Sequence, residues 1–346
     1  MPITQPHGHK HERGQPSDIA TTRLKVSQML VLTQLARFKP GLAAALTSFL
    51  FTTLLACAPA HGAGFTWPKE FRGEQMPVTG GTQYVRVGGK GPAVILLHGF
   101  GDTGDMWLTL ASILAHDHTV IVPDLRGMGL SSHPEGGYEK IAQARDLTAI
   151  LDKLGVKQAA LVTHDIGNMV GYALVASDPQ RITKWVAMDA PLPGIGHWDD
   201  QLKNPKTWHF NFRGPDVERL VAGRERILLD RFYNELSANP AGIDERTREH
   251  YAALYARPGA IHDALGGQFA AFAQDAIDNQ QLLAKGKLTM PVLAIGGDHS
   301  YGAGLATEIG FAASNVRSAV IKDSGHWIME EQPQQAIAVI TAFLGE

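Results

Sequence analysis

The chain has 346 residues, of which 44% are hydrophobic and 19% are charged, and its formal net charge is −3. This length is sufficient for one large domain that carries a smaller inserted one. Because the charge is slightly negative and the basic residues do not cluster, the composition argues against a nucleic-acid-binding protein.

The first 63 residues have the composition of an export signal. Arg37 and Lys39 precede an apolar run at 41–56, which is followed by mostly small residues at 58–64. The run has the length of a signal-peptide hydrophobic region and is too short to span a membrane. We therefore expect residues 1–63 to be a leader and the protein to be exported, either to the periplasm or outside the cell.

The start of this leader, its cleavage site and the fate of Cys57 each have more than one interpretation. Met29 is a candidate for the true start, because the polar segment before it is long for a signal peptide. Cleavage after Ala60 or Gly62 fits the small residues there. Cys57, the only cysteine, weakly resembles a lipoprotein cleavage site. If it is simply lost with the leader, the mature chain has no thiol and no disulfide, so we expect no stable membrane association unless Cys57 is lipidated.

Downstream of the leader, short apolar runs alternate with amphipathic segments. Strands are predicted near 83–88, 93–97, 118–122, 159–163, 184–188, 291–296 and 319–321. Helices are predicted near 104–115, 138–154, 167–178 and 333–344. This alternation predicts an α/β fold with a mainly parallel sheet covered by helices on both faces. We assign this core to residues 64–196 and 288–346.

The segment 197–287 has a different character. It is aromatic and charged, with helical periodicity and few β-branched runs, and Arg257-Pro258-Gly259 is typical of a helix end. We predict that it forms a helical cap inserted after the sixth strand. Such a cap would cover the carboxyl edge of the sheet, where ligands bind in folds of this kind.

The most informative residue is Asp165, at a sharp transition from an apolar strand to a helix. Small or compact residues, Thr163 and Gly167, lie two positions to either side, which is the pattern of a nucleophile elbow. A serine there would form an acyl-enzyme, whereas a carboxylate forms an alkyl ester by displacing a leaving group at saturated carbon. Asp165 therefore predicts a substrate that is an epoxide or an alkyl halide, and it argues against a serine-type esterase.

An aspartyl ester needs a general base to activate the water that cleaves it. His326, in Ser324-Gly-His-Trp, follows the last predicted strand and precedes the last helix, where this architecture places its histidine. In folds with such an elbow, the acid that orients the histidine usually lies in the loop after the strand at 291–296. Ser300 occupies that position here, and a serine cannot act as the acid. We favour Asp189, directly after the preceding strand, and keep Asp298 as the alternative.

An oxyanion hole is expected beside the nucleophile. Its donors should be the backbone N–H groups of Ile166, directly after the nucleophile, and of Phe100 in the loop after the strand at 93–97. During hydrolysis the oxygen that becomes negative is the carbonyl oxygen of the aspartyl ester, so these donors would stabilise it.

With these residues placed, the chain over about residues 65–346 resembles the epoxide hydrolase and haloacetate dehalogenase branch of the α/β-hydrolases. The matching runs are His98-Gly-Phe-Gly, His164-Asp-Ile-Gly, Ala190-Pro-Leu-Pro, Trp208-His-Phe, Ala222-Gly-Arg-Glu-Arg, Tyr255-Ala-Arg-Pro and Gly325-His-Trp. The runs in the cap are the more specific ones, because caps usually diverge.

The resemblance implies roles that the residues alone do not. It implies that the acid follows the sixth strand, in agreement with Asp189, although the similar enzymes carry glutamate there. It implies that His209 donates a hydrogen bond to the epoxide oxygen during ring opening. Candidates for the substrate pocket are Gln268, Trp208 and Phe210. It also suggests a homodimer. The expected ligand is a small-molecule epoxide, and we expect no metal or organic cofactor, because the mechanism needs none and no residues downstream of the leader have the spacing of metal ligands.

One position departs from the family pattern. The second ring-opening donor of the family is a cap tyrosine, and ungapped alignment places Gln268 there. A glutamine can donate an N–H but cannot release a proton. Ring opening would then depend on His209 alone, or Tyr255 or Tyr251 would substitute.

Two other functions compete with epoxide hydrolysis. Haloalkane dehalogenases usually place a tryptophan directly after the nucleophile, and haloacetate dehalogenases place arginines nearby, whereas this chain has Ile166 and Met169. Dehalogenation is therefore the weaker alternative. The second alternative is a non-enzymatic binding or effector protein that retains the triad without using it. The intact set of Asp165, Asp189 and His326 argues against this alternative.

Overall fold

The computed structural model describes residues 65–346, so the predicted leader, with Met29 and Cys57, lies outside the described residues. The fold is built on one eight-stranded sheet. Its strands are β1 (Arg72–Val78), β2 (Gly81–Gly89), β3 (Ala93–Leu97), β4 (Thr119–Pro123), β5 (Ala159–His164), β6 (Ile182–Met188), β7 (Val292–Gly297) and β8 (Val316–Ile321).

The sheet order is β1-β2-β4-β3-β5-β6-β7-β8. β2 pairs antiparallel with β1 and β4, and the pairs from β4 to β8 are all parallel. The prediction of a mainly parallel sheet is therefore confirmed. The strand that the sequence did not predict is β1, an edge strand whose residues are mostly exposed and polar, so that it lacks an apolar run.

Both faces of the sheet are covered. The side chains of β3 alternate between two buried clusters, with Val94 and Leu96 in one and Ile95 and Leu97 in the other. This alternation follows from the two-residue repeat of a strand, and it explains why the parallel strands read as continuous apolar runs.

The helices are α1 (Leu108–Leu114), α2 (Lys140–Lys153), α3 (Ile166–Ser177), α4 (Trp198–Gln201), α5 (Pro215–Val221), α6 (Glu225–Leu236), α7 (Glu245–Tyr255), α8 (Phe272–Leu283), α9 (Gly304–Gly310), α10 (Ile328–Glu331) and α11 (Pro333–Leu344). Short 3₁₀ segments lie at Gly104–Trp107, Pro205–Asn211 and Pro240–Gly242, and a π-helical segment lies at His262–Gln268. In residues 65–346, no helix combines the length and apolarity needed to cross a bilayer.

Every regular element between β6 and β7 is helical, from α4 to α8. This is the range for which the sequence predicts the cap. The chain therefore leaves the sheet at the carboxyl end of β6 and returns to it at β7, which places these helices next to the edge of the sheet that carries Asp189.

A buried ion pair connects α2 with α8. The ammonium of Lys140 lies 3.0 Å from a carboxylate oxygen of Asp275, and both side chains are almost completely buried. Lys140 also donates to the backbone carbonyl of Gln268 at 2.9 Å. Because a buried charge is stable only when it is paired, this contact constrains how α8 lies on the core.

We expect Lys140→Met to lower the free energy of unfolding by about 3–5 kcal/mol, because Asp275 would remain as an unpaired buried carboxylate. The matched control is Lys153→Met, which breaks the exposed pair between Lys153 and Glu74 and should cost less than about 1 kcal/mol. Denaturant unfolding of the two variants measures the difference. Equal losses, or no recovery when Asp275→Leu is added to Lys140→Met, would contradict this account.

Candidate active site

Asp165 lies at the turn between β5 and α3 with φ of 51° and ψ of −121°, a conformation that residues with a Cβ rarely adopt. The turn leaves no space around it. A Cβ on Gly167 would lie 2.5 Å from the carbonyl oxygen of Leu97, and a Cβ on Gly99 would lie 2.3 Å from the Cβ of Asp165. The elbow predicted from the sequence therefore depends on glycine both after the nucleophile and in the facing loop.

The carboxylate of Asp165 is held as an anion. The backbone N–H of Phe100 donates to its Oδ1 at 2.8 Å. Burial opposes its ionisation, but the charges of His326 and His164, with backbone hydrogen bonds from Phe100 and Ile166, hold the pKa of Asp165 below its usual value. The two backbone donors expected for the oxyanion hole thus converge on this side chain, and the carboxylate is ionised at neutral pH.

His326 lies between the two carboxylates. Its Nδ1–H donates to Oδ2 of Asp189 at 3.0 Å, and its Nε2 lies 3.8 Å from Oδ2 of Asp165. Burial alone would lower the pKa of His326, but the hydrogen bond from His326 to Asp189 and the charges of Asp165 and Asp189 raise it above the usual value. The structure therefore brings together the three residues predicted as nucleophile, base and orienting acid.

Asp189 is completely buried directly after β6. Its Oδ1 accepts hydrogen bonds from the backbone N–H groups of Gly297, at 3.1 Å, and Tyr301, at 3.4 Å. The alternative acid, Asp298, is exposed and accepts from the backbone N–H of Ser324 at 3.2 Å. The structure thus places Asp189, and not Asp298, against His326.

His209 lies in the 3₁₀ segment Pro205–Asn211 and is 7% exposed. Its ring packs against those of Phe210 and Phe232, with centroids 4.7 and 4.8 Å apart. Burial lowers the pKa of His209 to about 4, and the charge of Asp165 only partly opposes this. At neutral pH the imidazole is therefore uncharged. It can donate a hydrogen bond through its one N–H, but it is not an imidazolium that could give up a proton.

A cavity of about 350 Å³ connects these groups. It is lined by Asp165, Asp189, His326 and His209, by the rings of Phe100, Phe210, Phe232, Phe269, Tyr301 and Trp327, and by polar side chains that include Gln201, Asn204, Glu235, His299 and Ser300. A cavity that combines aromatic side chains with converging polar groups has the form of a small-molecule site.

Two predicted pocket residues do not line this cavity. Gln268 is completely buried elsewhere: its Nε2 donates to the carbonyl of Arg126 at 2.9 Å, and its Oε1 accepts from Gln143 at 2.8 Å. Trp208 is half-buried: its Nε1–H donates to Glu235, and its ring packs against the rings of His209 and Phe232. Of the three candidate pocket residues, Phe210 therefore lines this cavity, whereas Gln268 and Trp208 do not.

Tyr255 and Tyr251, the candidates to replace the ring-opening tyrosine of the family, do not line the cavity either. The hydroxyl of Tyr255 accepts from the N–H of Gly101 at 2.8 Å, behind the loop that carries Phe100. Tyr251 is completely buried and is not part of the cavity wall. The tyrosine that does line the cavity, Tyr301, was missed by sequence reasoning, as were Phe232 and Phe269. The sequence feature that could have identified Tyr301 is its position directly after Ser300, in the loop where the family usually places the orienting acid of the triad.

A group of possible metal ligands also forms, although the sequence spacing predicts none. The ligand atoms of Asp298, His299 and Asp323 lie within 4.8 Å of one another, and all three residues are exposed. Exposed carboxylates of this kind are common without a metal, and Asp298 already accepts the hydrogen bond from Ser324.

The two active-site histidines should titrate differently in the resting enzyme. We expect His326 to titrate above 6.5, because Asp189 and Asp165 stabilise its protonated form, and His209 to stay neutral until about pH 4. Asp165→Asn removes one of those charges and should lower the pKa of His326. NMR of histidine-labelled protein, assigned with His326→Gln and His209→Gln, measures both. A pKa of His326 that does not respond to Asp165→Asn would contradict the coupling across the 3.8 Å contact.

Comparison with known proteins agrees with this fold. The model of the alpha/beta hydrolase fold family matches residues 92–333. The chain is 29% identical over 284 residues to the soluble epoxide hydrolase of Corynebacterium sp. (strain C12), covering 79% of this chain and 97% of that protein. It is 31% identical over 186 residues to the fluoroacetate dehalogenase of Burkholderia sp, covering 51% of this chain and 61% of that protein.

A solved crystal structure of aCif superposes with a TM-score of 0.76 at 25% sequence identity, covering 87% of this chain and 96% of that one. The chain therefore belongs to the α/β-hydrolase family and is a hydrolase. Within that family it is similar to epoxide hydrolases. The matching runs quoted in the sequence analysis, above all those of the cap, also predict a narrower resemblance to the Cif type of epoxide hydrolase, and the superposition on aCif confirms it.

Proposed function

We propose that this protein is an epoxide hydrolase that converts an epoxide to a vicinal diol through a covalent ester on Asp165. The observation that carries the proposal is the position of the Asp165 carboxylate at the elbow, where it lines the cavity with Phe100 N–H at 2.8 Å and His326 Nε2 at 3.8 Å. A carboxylate so placed attacks saturated carbon, which serine chemistry does not do.

In the first step, a carboxylate oxygen of Asp165 attacks an epoxide carbon and the carbon–oxygen bond of the ring breaks. His209, on the cavity wall, donates an N–H hydrogen bond to the departing oxygen. Because His209 is neutral, it stabilises the developing negative charge by hydrogen bonding.

In the second step, His326 activates water to attack the carbonyl carbon of the ester. The ester has lost the negative charge of Asp165, which is one of the causes that raise the pKa of His326. His326 therefore releases its proton more readily once the ester has formed. Asp189 keeps the ring oriented, and the N–H groups of Phe100 and Ile166 stabilise the oxyanion as hydrolysis returns Asp165 to its carboxylate.

Dehalogenation is the second candidate, since a fluoroacetate dehalogenase is among the relatives. It uses the same nucleophile and base but needs donors that hold a departing halide or a substrate carboxylate. At the positions beside the nucleophile this chain has Ile166 and Met169, both completely buried. The apolar side chains there and the neutral donor His209 favour an epoxide over a haloacid.

The test is intact mass spectrometry of His326→Gln after incubation with a terminal epoxide and, separately, with a haloacetate. Without the base the ester should accumulate. A gain of the whole epoxide mass, absent when Asp165→Asn is added, is the expected result. A gain equal to the haloacetate minus hydrogen halide, with none from epoxides, would assign a dehalogenase. No adduct with either class in a folded variant would favour the binding-protein alternative.

We also propose that the protein is exported after removal of the leader at 1–63. The apolar run at 41–56 and the small residues after it support this proposal. Cell fractionation and the mass of the mature amino terminus test it. Full-length protein in the cytoplasm would refute it, and a lipid on Cys57 would establish a membrane anchor in place of a soluble exported form.

A further inference from the structure

Ring opening in the proposed mechanism requires a proton that no residue assigned so far supplies. The departing epoxide oxygen becomes an alkoxide, which is a strong base. His209 is neutral and donates only a hydrogen bond. Neither Gln268 nor Tyr255 lines the cavity: Gln268 donates to the carbonyl of Arg126, and the hydroxyl of Tyr255 accepts from the N–H of Gly101.

Tyr301 lies in the wall of the cavity in which such a donor is needed. Among residues 65–346 it is the one tyrosine that lines the cavity containing Asp165 and His209. It reaches this wall from the core, in the loop after β7, and not from the cap. Its backbone N–H lies 3.4 Å from Oδ1 of Asp189, which fixes the loop against the triad.

The hydroxyl of Tyr301 presents its proton to the cavity wall. It donates to Oε1 of Gln201 at 3.0 Å, and Gln201 lines the same cavity. A substrate oxygen that replaces this amide oxygen would receive the same proton. A free phenol is a stronger acid than a free alcohol, which makes a tyrosine a suitable proton donor to an alkoxide.

The charges around Tyr301 suit a donor that releases its proton only during the reaction. Burial raises the pKa of Tyr301, and the charges of Asp189, Glu308 and Asp165 raise it further, so the resting phenol keeps its proton. When Asp165 becomes an ester its charge is lost. The phenol then becomes easier to ionise at the step in which the alkoxide forms.

We propose that Tyr301 is the catalytic acid that protonates the departing epoxide oxygen, an inference that rests on the proposed epoxide hydrolase function. The bond from Asp165 to the epoxide carbon forms as the carbon–oxygen bond breaks. The electron pair moves to the epoxide oxygen, which takes the proton of Tyr301 and leaves a phenolate. Hydrolysis of the ester by water releases one proton, held first on His326, and this proton returns to Tyr301 through solvent.

The test measures ester formation alone, in the His326→Gln background, by rapid quenching and intact mass spectrometry with a terminal epoxide. Adding Tyr301→Phe should slow ester formation by about 100-fold, the range of general acid catalysis. Gln201→Leu removes the same hydrogen bond and alters the cavity wall but keeps the O–H of Tyr301, so it should slow ester formation much less than Tyr301→Phe does. Tyr84→Phe, on β2, controls for the substitution itself.

Three results would overturn the inference. An unchanged rate in Tyr301→Phe removes its catalytic role while leaving the epoxide hydrolase assignment in place. Equal slowing in Gln201→Leu reduces Tyr301 to a positioning residue that joins the loop to α4. No ester in the His326→Gln parent, together with no diol from the unmodified enzyme, refutes the epoxide hydrolase function and this inference with it, and this result is distinguished from the other two because the parent itself fails.

A second readout separates proton donation from loss of structure. A halide leaves as a stable anion and needs no proton. If His326→Gln also forms an ester with a haloacetate, Tyr301→Phe should leave that rate nearly unchanged while slowing the epoxide reaction. Equal slowing of both reactions would show that the substitution disturbs the site in general, and would overturn the assignment of Tyr301 as an acid.

Discussion

Asp165→Asn is expected to lower kcat for a terminal epoxide by at least about 10⁴-fold, as loss of a nucleophile or its partner does in other enzymes with covalent intermediates. The amide is similar in size and its oxygen can still accept from Phe100 N–H, so the elbow should persist. It lacks the negative charge that attacks carbon. Steady-state assays of purified protein measure the loss.

The matched control for this prediction is Asp298→Asn, which changes an exposed carboxylate outside the triad and should leave kcat unchanged. A single turnover in ¹⁸O-labelled water adds a direct readout. If Asp165 forms the ester, the first diol carries oxygen from the carboxylate and the label enters Asp165. Label in the first diol, or substantial activity in Asp165→Asn, would refute the covalent mechanism.

His326→Gln is expected to lower steady-state turnover by about 10²–10⁴-fold, the usual contribution of a general base. The first step does not require this base, since Asp165 is already ionised. Epoxide should therefore disappear in an amount equal to the enzyme, while little diol is released. Quenched-flow analysis of both compounds measures the two steps.

His118→Gln serves as the control, because His118 lies outside the cavity and pairs with the exposed Asp117. Its turnover should equal that of the unmodified enzyme. If His326→Gln consumes no epoxide at all, the base acts before or during ring opening. If it turns over normally, another group activates water and the contact between His326 and Asp189 is structural.

Much of the architecture could be predicted because its signals are local. The strands around Asp165 and Asp189 are short apolar runs, and the elbow is marked by Gly167 within two residues of the nucleophile. The order of nucleophile, acid and histidine then defines which loops meet at the edge of the sheet. β1 was missed because an exposed edge strand needs no apolar repeat.

The cavity wall was harder to predict, because it depends on which way each side chain faces after the cap packs on the core. Gln268 aligns with a catalytic position, yet it turns inward to hydrogen-bond Arg126 and Gln143. Trp208 and His209 are neighbours, but only His209 lines the cavity. Tyr301 reaches the cavity from a core loop, in a position that no local pattern associates with a proton donor.

The backbone at Asp165 and Asp189 implies a conflict between stability and activity. Among residues 65–346, the non-glycine residues with positive φ are Asp165 at 51°, Asp189 at 48° and Asp323 at 54°. Such conformations each cost roughly 1–3 kcal/mol when a Cβ is present. Two of the three belong to the triad, so selection for folding alone would favour glycine at both positions. Substitutions that stabilise this chain by relaxing those turns would therefore be the ones that remove its chemistry.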